Sequence, residues 1–300
     1  MNRMTQDQLA ERLGVRGGKP VISGWETGRT QCEGPAAEFL LHLMGRANAA
    51  FAAAGLRTAM NAEWERTGQP TRRWRQLACV PETAIAIEAP TFVNLFPDAS
   101  IENGTHGFPF SRGFLRNCIG IRPDGWVGSI PEARTDQPTY LWMLRRDLSF
   151  ADRARFWEDS PESVTAGHVD VGYELLHALE TVLLMRRIAT TKPPMQVDFR
   201  FTFYLDLAGV RGRGLVDATQ PLEPREFVRT WAEDEVHASI SVSGDEVYEA
   251  PLDVATRLVS SLAGQLGEDF VSDRSLKAVL KHRRNDQHFP QILSAAGVKF

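Results

Sequence analysis

Residues 196–207 alternate without a break. Val197, Phe199, Phe201, Phe203, Leu205 and Leu207 fall on one side, and Asp198, Arg200, Thr202, Tyr204 and Asp206 on the other. Period two excludes an amphipathic helix, whose apolar stripe recurs every 3.6 residues, and predicts a strand with one buried face. A strand so apolar on one face needs strands beside it and a layer over it. Val236, Ala238, Ile240 and Val242 repeat the pattern. Ser243-Gly244-Asp245-Glu246 then reads as a turn, with Val247-Tyr248 returning as the second arm of a hairpin. Ala84 to Ile87 is a weaker strand.

Helical spacing takes over elsewhere. Asp170–Ile188 carries Leu175, Leu176, Leu179, Val182 and Leu183 on one face, and Leu252–Leu266 carries Val254, Leu258, Val259 and Leu262 before Gly267. A third helix is predicted over Ser149–Glu158, with Ser149 as its cap. Strands and helices come in blocks rather than in strict alternation, so the expected class is α+β with an antiparallel sheet.

Composition excludes several classes. Of the 300 residues, 43 % are hydrophobic and 24 % charged, enough apolar material for a core and too little net charge for disorder. No apolar run reaches the roughly 18 residues of a membrane span. Met1 to Asp7 has no apolar stretch of the signal-peptide kind. Cys32, Cys79 and Cys118 form no C-x-x-C pair, which points away from a disulfide framework or a zinc knuckle. The expectation is a soluble, cytoplasmic protein without a membrane partner. Charge is uneven: residues 1–76 hold eleven bases and seven acids, net +4, while the remainder carries −8. A polyanion would therefore meet the N-terminal head.

The head has its own pattern. Thr5 and Gln8 have capping-box spacing, Leu9, Ala10 and Leu13 share a face, and Gly14 is a stop. A second short helix fits Lys19 to Thr27, with Val21, Ile22 and Trp25 buried and Gly28 ending it. Two short helices joined by a glycine-containing turn make a helix-turn-helix. The run T-Q-D-Q-L-A-E-R-L-G-V followed by I-S-G-W-E-T-G-R resembles the XRE (Cro/repressor-like) helix-turn-helix family. Matching positions are Thr5, Gln6, Leu9, Ala10, Leu13, Gly14, Val15, Ile22, Ser23, Trp25, Glu26, Gly28 and Arg29. The resemblance covers about residues 4–47 and implies an all-α, lambda-repressor-like DNA-binding head. It departs from the family in two ways. The family's opening helix has no counterpart before Thr5, and six residues, Arg16 to Val21, separate Val15 from Ile22 where four are usual.

In such a pair the second helix enters the major groove. Lys19, Pro20, Ser23 and Gly24 are then expected at base edges, and Thr27, Arg29 and Gln31 at the backbone. Gln6, at a helix start with free N–H groups, is placed to touch a phosphate. Pro20 and Gly24 offer no hydrogen-bonding side chain, so Lys19 and Ser23 carry direct readout and affinity leans on phosphates.

Between head and body, Gly34-Pro35 marks a helix start. Phe39, Leu40, Leu43 and Met44 form a stripe that closes the head. Ala47 to Ala59 is alanine-rich and strongly helical, either a connecting or dimer-forming helix or an ordinary packing one. Gly68 to Thr71 reads as a linker, and Arg72, Arg73 and Arg75 around Trp74 as a basic patch, either a solvated linker or a flank to the DNA contact. The expected division is a head at 1–47, a helical connector and basic linker at 48–78, and an α+β effector or oligomerisation domain at 79–300.

Chemistry in the body is sparse. Gly209-Val210-Arg211-Gly212-Arg213-Gly214 follows a strand, but it is neither G-x-G-x-x-G nor a P-loop, and reads as a turn with basic decoration. His168, Asp170, Glu174, His177 and Glu180 gather at one helix start. Glu174 and His177 have the E-x-x-H spacing of di-iron bundles, without the second copy such a site needs. They read as a solvated helix face with a capping acid. No G-x-S-x-G elbow occurs, Cys118 has no sign of activation, and Lys281 to Arg284 reads as a basic surface run. No catalytic residue, cofactor or metal is expected.

The combined expectation is a sequence-specific DNA-binding transcriptional regulator acting on double-stranded DNA. It is a homodimer whose C-terminal part senses a small-molecule or protein ligand or sets the assembly. The alternatives are an antitoxin-like interaction module and an enzyme with a DNA-binding head. Register in the head is testable. Trp25→Ala should unfold the head at a cost of roughly 3–5 kcal/mol, whereas Lys19→Ala should leave it folded. Circular dichroism melts of the two variants decide, and the reverse outcome would show the register to be wrong.

Overall fold

The computed structural model describes residues 35–66, 73–83, 87, 119–122, 125–130, 140–159, 167–190, 199–216 and 229–266. Nine strands occur among them: β1 (Trp74–Pro81), β2 (Ile119–Arg122), β3 (Gly125–Ile130), β4 (Tyr140–Arg145), β5 (Phe150–Ala154), β6 (Val169–Asp170), β7 (Arg200–Ala208), β8 (Leu215–Val216) and β9 (Glu235–Ser243). The α-helices are α1 (Pro35–Arg66), α2 (Val171–Thr190), α3 (Gly244–Glu249) and α4 (Pro251–Ala263). Seven strands form one sheet in the order β2-β3-β4-β5-β1-β7-β9, with every neighbouring pair antiparallel. β6 and β8 make a separate short parallel pair. An α+β body with an antiparallel sheet is therefore what the chain builds.

The expected strand over residues 196–207 is the heart of it. β7 lies between β1 and β9, and Phe201, Phe203, Leu205 and Leu207 are fully buried on one face. α2 and α4 cover that face, burying Leu175, Leu179, Val182, Leu258 and Leu262 against it. The opposite face is covered by α1, whose Ala49, Leu56, Met60 and Trp64 pack on Ala78, Val80, Leu141, Met143 and Ala151. Because successive residues of a strand point to opposite faces, each central strand serves both cores. On β1, Leu77 and Cys79 face α2 while Ala78 and Val80 face α1. The alanine-rich stretch is thus a packing helix. Its small side chains turn to the sheet at Ala49, Ala52 and Ala53, and the single helix from Pro35 to Arg66 spans about 48 Å.

Several expectations need revision. Residues 149–158 are not a helix: Phe150–Ala154 is strand β5, followed by a 3-10 turn at Trp157–Asp159. Its charged pair Asp152 and Arg153 is buried, one residue on each face of the sheet. Ser243 to Glu246 is no hairpin turn. The Ser243 hydroxyl accepts from the Glu246 N–H at 3.2 Å and the Ser243 N–H donates to the Glu246 carboxylate at 2.7 Å, a capping box that opens α3 instead. Pro35 does start a helix, which runs unbroken past residue 47, and β1 runs across residues 78 and 79, so the body's sheet begins within the stretch read as linker. Ile87 is outside any strand. Residues 84–86, the linker at 68–71 and the tail at 281–284 lie outside the described residues, as do the side chains of Phe39, Leu40, Leu43 and Met44.

Gly128 on β3 sits directly opposite Trp142 on β4. A Cβ at residue 128 would come within 2.3 Å of the Trp142 ring. Gly128→Ala should therefore destabilise the fold by about 1–3 kcal/mol, the cost of overpacking a filled core. Urea denaturation checks this, and an unchanged midpoint would contradict the packing.

Candidate functional site

The candidate DNA-facing residues Gln6, Lys19, Pro20, Ser23, Gly24, Thr27, Arg29 and Gln31 lie outside the described residues, as does Cys118. Within them, the densest chemistry is a charged cluster under the start of α2. It gathers the very residues that the sequence suggested were solvated. His168, Asp170, Glu174, His177 and Glu180 are all buried, Glu174 completely.

The organising group is Arg75, near the start of β1. Its guanidinium is wholly buried, not part of a solvated basic patch. One amino group binds the Glu158 carboxylate on the 3-10 turn, and the other lies 2.6 Å from Glu174 Oε1 on α2. The rings of Tyr173 and Phe156 lie against it, their centroids 4.3 and 4.9 Å from its Cζ. Burial opposes the charge on Arg75, but Glu158 and Glu174 more than offset this and hold its proton more tightly than usual. The Glu158 carboxylate also accepts the Asp170 N–H at 2.7 Å. Asp170 in turn accepts the Gly172 N–H at 2.9 Å, so the expected capping acid does cap α2, from inside the core.

Beside this group, His177 Nε2 lies 2.7 Å from Asp152 Oδ2 on β5. Burial works against a charged imidazole, but Asp152 outweighs it and raises the proton affinity of His177. The hydroxyls of Tyr140 and Tyr173 are 3.1 Å apart, and burial pushes both phenols up, so both stay neutral. Arg213 binds Asp159 and also lies over the Phe156 ring, 4.9 Å from its centroid. It is buried too, so of the two arginines in the 209–214 turn only Arg211 is surface decoration.

A second network lies on the α1 face. Arg153 donates from Nε and Nη2 to Gln76 Oε1, at 3.0 and 2.6 Å, with the rings of Trp74 and Trp64 at 3.9 and 5.8 Å from its Cζ. Burial lowers its pKa to about 10. Asp206 accepts from Arg57 of α1 at 2.7 Å and pairs with His237 Nδ1 at 2.8 Å.

The first cluster combines the buried guanidiniums of Arg75 and Arg213 with carboxylates, the imidazoles of His168 and His177 and two phenols. No group of three or more His, Cys, Asp or Glu among the described residues could hold a metal ion. E-x-x-H here makes ion pairs with the sheet. Cys79 is buried, and burial pushes its thiol well above the usual range, away from nucleophilic use. No described helix is long and apolar enough to cross a membrane. No family model, curated protein or solved structure matches the chain.

Removing Arg75 would leave the Glu158 carboxylate buried without its cation, and above about pH 7 that of Glu174 as well. Arg75→Met should cost roughly 3–5 kcal/mol, and adding Glu158→Gln and Glu174→Gln should recover much of it. Chemical denaturation of the single and triple variants measures both, and equal stabilities would refute the ion-pair account.

Proposed function

We propose that this protein is a sequence-specific DNA-binding transcriptional regulator, with a head at the N-terminus and an α+β body that governs its assembly or its response to a ligand. The motif from Thr5 to Arg29 carries this reading, and the basic balance of residues 1–76 supports it. In this reading Lys19 and Ser23 meet bases, with Pro20 and Gly24 bringing the backbone close. Gln6, Thr27, Arg29 and Gln31 hold phosphates. Helix α1 begins six positions after Arg29 and lies along the sheet of the body.

One recognition helix reads few base pairs, so the regulator acts as a homodimer on two half-sites about one turn of DNA apart. Selection from a random duplex pool with the full chain, followed by titration at several salt concentrations, tests the reading. A near-palindromic site should emerge. Log affinity should fall by roughly 0.9 per log unit of salt for each phosphate neutralised. Lys19→Ala should relax the base preference while keeping most of the salt dependence. Salt-independent or absent binding by the folded full chain would reject the proposal, and light scattering reports the dimer in the same samples.

A further inference from the structure

Charge counting around Arg75 leaves a remainder. Among the described residues, the ion pairs Arg75–Glu158, Arg75–Glu174 and His177–Asp152 bring together two basic side chains, Arg75 and His177, and three carboxyls, Glu158, Glu174 and Asp152. All five side chains are buried to within 1 % of full burial. Uncompensated charge is expensive there, and a buried acid escapes the cost by keeping its proton. The geometry singles out which acid does so. Glu158 has both oxygens engaged, one by Arg75 and one by the Asp170 N–H. Asp152 holds His177 at 2.7 Å. Glu174 is close to Arg75, yet among the described residues neither of its oxygens receives an aligned hydrogen bond.

We infer that the body carries a proton-binding site in its core, the carboxyl of Glu174, and that docking of the first turns of α2 onto β1 and β5 is coupled to that proton. The surroundings are consistent from every side. β1 presents Arg75, β4 presents Tyr140, β5 presents Asp152, and the 3-10 turn presents Glu158. β6 presents Asp170, and α2 itself adds Tyr173, His177 and, farther along, Glu180. α3 and α4 bury no charged side chain. Burial is the largest influence on Glu174 and Glu158 and Asp170 add to it, while Arg75 and His177 oppose it; the balance pushes its pKa up from 4.5 to about 7.

The sign follows from linkage. Between the unfolded value near 4.5 and the folded value near 7, the native state holds one proton that the unfolded chain has lost. Stability from this group is full below that window and falls as pH rises through it, by about tenfold in the folding equilibrium constant per pH unit. Above the window the contribution is flat. His177, also raised, loses its own contribution as pH rises from its unfolded value through its folded one.

The test uses the full chain, wild type and Glu174→Gln, melted across pH 5 to 8. Glutamine keeps the shape and stays neutral, so the difference between the two curves isolates Glu174. The wild type should lose about tenfold in the equilibrium constant per pH unit relative to the variant up to about pH 7, and run parallel to it above. Parallel curves throughout would overturn the inference. Infrared spectroscopy of the wild type keeps it falsifiable should the variant not fold. A protonated-carboxyl band should be present at about pH 6 and titrate away with rising pH, and its absence would also overturn the proposal. Glu158→Gln should move that titration to lower pH, because Arg75 then faces a single carboxylate; an unmoved midpoint counts against the site.

Discussion

A guanidinium with no exposure to water costs several kcal/mol to desolvate, and little in this body would be ordered as it is without the groups that offset that cost at Arg75. Those groups come from separate parts of the chain. Glu158 is on the turn after β5, Glu174 is on α2, and Phe156 and Tyr173 supply the flanking rings. Each can do its work only if β1, the β5 turn and α2 meet at one point. The apolar surfaces of α2 and the sheet would tolerate many relative placements, since hydrophobic contact is non-directional. The bonds to Arg75 select one.

The opposite face solves the same problem differently. α1 lies against the sheet through alanines over its middle, which let the helix approach closely but specify its position weakly. Near its C-terminal end the contacts become directional: Trp64 packs toward the Arg153 guanidinium, and Arg57 reaches the buried Asp206. Asp206 is held in turn by His237 on β9, so α1 is tied to the strand farthest from β2. Both layers thus combine a broad apolar contact, which supplies most of the free energy, with a small polar network that fixes registration.

What could be read from the sequence follows from how that division is written. β7, β9, α2 and α4 announce themselves because their apolar residues keep a period over several turns or pleats. β5 does not, because Phe-Ala-Asp-Arg-Ala contains one large apolar residue and two charges. Its burial depends on Asp152 finding His177 and Arg153 finding Gln76, the latter 77 positions away. The burial of the charged cluster, and the place of Arg75 in it, escape the sequence for the same reason. Arg75 and Glu158 are 83 positions apart, and a lone Arg beside Trp74 looks like a surface residue until the fold brings its acids to it. Ser243 and Glu246 are different, since both partners were in view: the S-x-x-E spacing was legible as a capping box and was masked by the glycine between them, which suggested a turn. Only the helical start at Pro35 and the sequence motif itself bear on the head.

The two polar networks are not independent, and the pleat of the sheet is why. Arg75 and Gln76 are adjacent on β1, as Asp152 and Arg153 are on β5, and the pairing sets Gln76 opposite Arg153. Successive residues point to opposite faces, so each strand places one residue in the α2 network and the next in the α1 network. A displacement of β1 or β5 that relaxes one network therefore moves atoms of the other by a comparable amount. A ligand or a protonation event acts on a distant site only by differing in free energy between two arrangements of some shared element. Here the shared element is defined by four residues on two paired strands, with α2 on one side and α1, the helix that begins at Pro35, on the other.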